Sequence, residues 1–121
     1  MTMRSDARPK EKLDAVLAAL GEPTRRRALR LLHTKDELCV CELMAELGVS
    51  QSRMSRHMSA LKVAGLVLDR RDAQWVRYRR NPVVSAEIAA VVASVLAADA
   101  PAQTSRKARN LPIKSSDRAL P

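Results

Sequence analysis

The stretch Ser50-Gln-Ser-Arg-Met-Ser-Arg-His-Met-Ser-Ala-Leu-Lys-Val-Ala64 lies between Gly48-Val49 and Gly65. Ser50 suits a helix N-cap, because its hydroxyl accepts from an unpaired amide of the first turn. Gly65 suits the stop. The reading is a helix over residues 51–64. Its apolar positions are few: Met54, Met58, Leu61 and Val63. The rest is polar: Gln51, Ser52, Arg53, Ser55, Arg56, His57, Ser59 and Lys62. A helix built this way is held by one edge and presents a dense polar face outward.

Working upstream, Asp36 is a candidate N-cap for a shorter helix over residues 36–47, with Leu38, Leu43, Met44 and Leu47 on its inner face. Gly48 can take the left-handed conformation that closes such a helix, and Val49 packs in the corner. Two helices joined by a short glycine-containing turn form a helix-turn-helix unit. In that unit the N-terminal part of the second helix enters the major groove of DNA. Here that part offers Gln51, Ser52, Arg53, Ser55 and Arg56. Glutamine pairs bidentately with adenine and arginine with guanine. Ser50, Ser55 and the helix N-terminus can hold phosphate. His57, one turn on, suits a backbone phosphate or a contact within the domain.

Working downstream, residues 66–80 read as a β-hairpin that turns near Asp72-Ala73-Gln74. The turn lacks the glycine that tight hairpins favour, so a longer, looser tip is expected. Alternation puts Trp75, Arg77 and Arg79 on one face and Val76 and Tyr78 on the other; Trp75 and Tyr78 are expected to pack at the hairpin's base. Residues 50–80 hold eight Lys/Arg against two Asp, a local charge of +6 in a chain of net +9. A basic hairpin after a reading helix is a wing, and Arg70, Arg71, Arg77 and Arg79 are its candidate DNA contacts. The expected architecture is therefore mainly α with a β-hairpin, a winged helix-turn-helix.

The flanks complete one domain over residues 11–99 of the 121-residue chain. Leu13, Val16, Leu17 and Leu20 mark a first helix that Gly21 ends, and Pro23 opens a second that runs to about His33. A last helix over residues 83–98 is apolar nearly all round and must be covered; a second copy of the chain is the expected cover. Residues 1–10 read as a flexible arm and residues 100–121 as a disordered basic tail. The net charge favours a polyanionic partner. Trp75 and Tyr78 are the only aromatics, too few for a single-strand binder that stacks bases. No apolar run is long enough to cross a membrane and no signal-peptide core is seen, so a cytoplasmic protein is expected. Its two cysteines, Cys39 and Cys41, are then expected to be reduced thiols.

Several motifs together resemble one family. Gly21-Glu-Pro-Thr-Arg-Arg-Arg-Ala-Leu-Arg-Leu-Leu32 resembles the second-helix signature of the ArsR/SmtB metal-responsive repressors. Glu37-Leu-Cys-Val-Cys-Glu-Leu43 is similar to the arsenic-binding box of its arsenical-resistance branch, and residues 50–67 are similar to its recognition helix. Asp69-Arg-Arg71 and Trp75-Val-Arg-Tyr78 resemble its wing. The resemblance covers roughly residues 13–98. It implies a homodimer built on the first and last helices, double-stranded operator DNA as partner, and repression of an arsenic-resistance operon. It also implies an inducer, trivalent arsenic or antimony, bound by Cys39 and Cys41, and no catalytic cofactor. One form of the family's box has a third cysteine where this chain has Met44, so no three-thiolate site exists within one chain. The last helix also lacks the ligands of zinc-sensing relatives.

Thiolates suit soft metals and metalloids. On an α-helix, side chains two residues apart point about 200° away from each other; on an extended segment they share a side. With both cysteines on a helix over residues 36–47, one ion can join them only if the first turn unwinds, which would shift the recognition helix off the groove. Two thiolates also suit a methylated trivalent arsenical with two open valences. Other readings stay open on the residues alone. They are small buried cysteines without a role, a thiol-redox or sulfide-responsive repressor of the same fold, and an architectural DNA-binding protein held by charge. A thiol–disulfide enzyme lacks its α/β pattern, and no other catalytic constellation is visible.

Overall fold

The computed structural model describes residues 9–99; residues 1–8 of the arm expected over residues 1–10, and the tail over residues 100–121, lie outside the described residues, while Pro9 and Lys10 belong to the first helix and not to an arm. The chain runs α1 (Pro9–Leu20), α2 (Pro23–Thr34), β1 (Leu38–Cys39), α3 (Val40–Leu47), α4 (Gln51–Val63), β2 (Val67–Asp72), β3 (Trp75–Arg80) and α5 (Ala86–Ala98). The strands form one antiparallel sheet in the order β1-β3-β2. α1, α2, α4 and the hairpin stand within a few residues of where the sequence puts them, while α3 and α5 both start later.

Each helix start has a local cause. Pro23 opens α2, and the Glu22 carboxylate accepts the amides of Thr24 at 2.7 Å and Arg25 at 3.3 Å. Ser50 caps α4 by accepting from the Arg53 amide at 3.4 Å, and Ser85 caps α5 through the Ile88 amide at 3.2 Å. The last helix therefore begins three residues later than its apolar content suggests. Pro82 precedes it and Val83 is 84% exposed, outside the helix.

The core is a single cluster. Met54, Met58 and Leu61 of α4 are fully buried against Leu29 and Leu32 of α2, Leu43 of α3 and Val16 of α1. Val67 and Tyr78 extend it into the root of the sheet. Because α4 buries only this stripe, Gln51, Ser52, Arg53 and Arg56 stay exposed. The C-terminal end of α5 is fastened to α2 by charge: Arg30 Nη2 donates to the carbonyls of Leu96 at 2.8 Å and Asp99 at 2.9 Å. Arg26 Nε lies 3.0 Å from Asp99 Oδ2, a contact of charges rather than an aligned hydrogen bond.

Three expectations need correction. The helix over residues 36–47 starts at Val40, since Leu38 and Cys39 are taken by the sheet, opposite Tyr78 and Arg77. Its N-cap is Cys39, not the exposed Asp36. The wing tip is tight, with only Ala73 and Gln74 between the strands. Trp75, at that tip, is 42% exposed, while Tyr78 at the root is 7% exposed; only the tyrosine packs as expected.

The tight turn has a cost. Ala73 adopts φ +57°, a left-handed conformation that crowds Cβ by about 1–2 kcal/mol and that glycine takes freely. Ala73→Gly should therefore stabilise the domain by about 1 kcal/mol, read as a higher urea midpoint by circular dichroism.

Candidate nucleic-acid interface and cysteine pair

The proposed readers divide by what they already hold. Gln51, Ser52, Arg53 and Arg56 are exposed on the first two turns of α4, and Ser55 is half-buried. Ser50 spends its hydroxyl on the cap. His57 is turned inward: its Nδ1 accepts from Arg25 Nε at 3.2 Å and lies 3.8 Å from Glu22 Oε1. That hydrogen bond requires an unprotonated Nδ1 and so places the ring proton on Nε2. His57 thus ties α4 to the start of α2, which is the domain contact of its two expected roles.

The wing divides the same way. Arg70 is held by Glu37 through two hydrogen bonds of 2.8 Å, a bidentate fork. Arg77 Nε donates to Asp72 at 2.8 Å. Arg71 and Arg79 are exposed and make no ion pair among the described residues. Lys62 of α4 pairs with Asp69 at 3.0 Å, joining the helix to the wing. Of the four wing arginines, two are therefore ready for phosphate and two are engaged with carboxylates.

Cys39 and Cys41 meet at the junction of β1 and α3. Cys39 has extended backbone, φ −80° and ψ 163°, while Cys41 lies in the first turn of α3. Their Cα atoms are 5.4 Å apart and their sulfurs are joined as a disulfide. This corrects two expectations. The cysteines are not free thiols here, and no turn need unwind to bring them together. The 200° argument applied to two positions on one helix, whereas only Cys41 is helical. Glu42 fixes the junction, its Oε1 accepting the Cys39 amide at 2.8 Å.

The surroundings of the pair carry both signs of charge: Glu42 lies beside Cys39, and Arg77 and Arg70 along the sheet are each paired with a carboxylate. Arg77 is the cross-strand partner of Cys39, and Arg70 is the partner of Arg77 on β2. Cys39 is 4% exposed and Cys41 half-buried, so the pair opens to solvent on the Cys41 side. Among the described residues, no three His, Cys, Asp or Glu side chains converge as a metal site. The two sulfurs fit two bonds of a trivalent metalloid and leave its third for an outside donor. The sequence missed β1 and the Glu37–Arg70 fork; the one signal for them was an acid, Glu37, directly before the apolar run Leu38-Cys-Val-Cys41 in a chain with a basic hairpin.

Glu37 and Asp72 have pKa values below the usual carboxylate range, chiefly because Arg70 and Arg77 respectively hydrogen-bond to them. A depressed folded-state pKa gives stability that is present above the ordinary carboxylate value and lost as pH falls through the folded value. Glu37→Gln should therefore flatten the acid limb of a plot of urea midpoint against pH, leaving the neutral limb little changed.

The family described as "Bacterial regulatory protein, arsR family" matches residues 22–68, from the cap of α2 to the second residue of β2. The chain is 51% identical over 67 residues to the arsenic resistance transcriptional regulator ArsR2 of Pseudomonas putida, covering 55% of this chain and 58% of that one. It is 41% identical over 73 residues to the arsenical resistance operon repressor of Escherichia coli, covering 60% and 62%. The matched stretch thus spans about three-fifths of these relatives' lengths. Among solved structures, the transcriptional regulator HlyU of Vibrio vulnificus superposes with a TM-score of 0.58 at 32% identity, covering 83% of this chain and 100% of that one. On the shared α2–α3–α4 unit, the wing and this full-length match, the chain belongs to the ArsR family of bacterial regulatory proteins.

Proposed function

We propose that this protein is a homodimeric, cytoplasmic repressor that binds double-stranded operator DNA of an arsenic-resistance operon. It leaves that DNA when trivalent arsenic or antimony bonds to Cys39 and Cys41. The observation that carries the reading is the convergence of these two sulfurs at the start of α3, the helix that supports α4 from behind. The relatives named for arsenic resistance support the same inducer.

Gln51, Ser52, Arg53, Ser55 and Arg56 read the major groove, with Ser50 holding the helix end that faces phosphate. Arg71 and Arg79 reach flanking phosphates, and Arg70 and Arg77 add to the wing's field. His57 sets the angle of α4 through Arg25. Dimerisation uses α1 and α5. Leu17 is 48% exposed on α1, and Ala89, Ala90, Ala93 and Ala97 lie bare on α5. A second copy covers these faces and sets two α4 helices against successive major grooves.

Metalloid binding needs the reduced pair. Two small-molecule thiols reduce the disulfide, supplying two electrons and two protons and leaving as their own disulfide. The Cys39 and Cys41 thiols then displace two hydroxides from arsenous acid. Two As–S bonds form, two As–O bonds break and two waters leave with the thiol protons. A monomethylated arsenical satisfies the pair in the same way. The joined sulfurs also favour a second reading, in which oxidation of the pair is itself the signal.

Two outcomes test the reading. Arsenite that releases the wild-type protein from a duplex covering the DNA upstream of its own gene should leave Cys39→Ser and Cys41→Ser proteins bound, measured by fluorescence anisotropy under a phosphine reductant. Release of the serine variants at the same arsenite concentration would sink the cysteine assignment, and release of wild type by oxidant alone would favour the second reading. In the same assay, Arg71→Ala and Arg79→Ala should each weaken all duplexes alike and reduce the slope of log affinity against log salt by about one.

A further inference from the structure

Cys39 occupies two structures at once. It is the last residue of β1 and the N-cap of α3. A constraint on the separation of its sulfur from that of Cys41 therefore bears on the helix and the strand together. The helix is the firmer side, with Val40, Leu43 and Leu47 buried in the core. The strand is only two residues long and is paired on one edge, Leu38 opposite Tyr78 and Cys39 opposite Arg77. Two reduced thiols set no fixed separation; one arsenic atom bonded to both would fix it, and β1, the shorter and less anchored side, is the part that would yield.

What β1 would move is the wing. Cys39, Arg77 and Arg70 form one cross-strand row through all three strands, and paired residues in such a row point to the same face. Glu37, two residues before Cys39, reaches over β3 to Arg70 on β2 and grips it with both oxygens at 2.8 Å. That fork is the only side-chain ion pair that joins the cysteine-bearing segment to the wing among the described residues. A monodentate contact would tolerate a small shift. A planar guanidinium on a carboxylate does not keep both bonds when the two backbones slide.

We propose that the Glu37–Arg70 fork couples the state of the Cys39–Cys41 pair to the angle of the wing, making Glu37 and Arg70 positioning residues for induction. In the metalloid-free protein the fork holds β2 against β1 and keeps Arg71 and Arg79 where flanking phosphates lie. A metalloid bridge displaces β1, the fork opens, and the wing's phosphate contacts are lost together with those of α4. This rests on the cysteine pair being the inducer site, and it assigns the output to the wing as well as to the recognition helix.

Trp75 makes the inference measurable, since it is the chain's single tryptophan and sits half-exposed at the wing tip. Sodium arsenite added to the reduced full-length wild-type protein, without DNA, should shift Trp75 emission. Glu37→Gln and Arg70→Lys should bind arsenite as wild type does, by loss of thiol titre. Their Trp75 response should vanish, and the arsenite-induced fall in operator affinity should shrink at least about fivefold, the lower range of site-to-site coupling. Arg70→Lys keeps the net charge, so its result separates geometry from charge; the ratio of affinities with and without arsenite removes any change in basal binding. Full release of both variants, with the wild-type emission change, would overturn the fork's role while leaving the cysteine site intact. No arsenite response in wild type, or an undiminished response in the Cys39→Ser/Cys41→Ser protein, would overturn both readings at the cysteine pair.

Discussion

Two rungs of β-ladder, Leu38 opposite Tyr78 and Cys39 opposite Arg77, decide how the parts of this domain meet. Without them the segment before α3 would be a loop and the wing an isolated hairpin, which is marginal by itself in water. With them the hairpin becomes a three-stranded sheet whose root, through Tyr78 and Val67, closes the helical core. The pairing also pulls Cys39 out of the helix that its neighbours would otherwise continue. The placing of the cysteine pair, the helix start and the wing attachment are then consequences of the same short contact.

The helices were legible because each carries its own start signal and a buried stripe of the right period. Ser50 with Met54, Met58 and Leu61 needed no partner to be read. The error at residues 36–47 has a different origin. Leu38 fits a helical inner face and a strand equally well, and a run this short has no periodicity to decide between them. The decision comes from Tyr78, forty residues away, which no local pattern contains. The same holds at the wing tip: Ala73 lacks the sequence mark of a tight turn, and the register of the two strands imposes the turn upon it.

The candidate site was legible as residue types and not as relations. Arg70, Arg71, Arg77 and Arg79 look alike in the sequence, one basic face of one hairpin. The structure separates them by the carboxylates in reach, because Glu37 and Asp72 claim Arg70 and Arg77 and nothing comparable claims the other two among the described residues. His57 was similarly open between a phosphate and a contact within the domain, and in the fold it meets Arg25 of α2. Charge counting gives the field that draws a polyanion; only the pairing geometry says which charges are available to it.

The closeness of Cys39 and Cys41 along the chain has a thermodynamic side. Two sulfurs separated by one residue need almost no loop closure to meet, so the unfolded chain offers a ligand nearly the same two donors as the native one. A ligand held equally well by both states contributes little to the folding equilibrium, since stabilisation arises only from preferential binding to the native form. On the proposed reading of the pair, a newly made chain could take up the metalloid before it has folded.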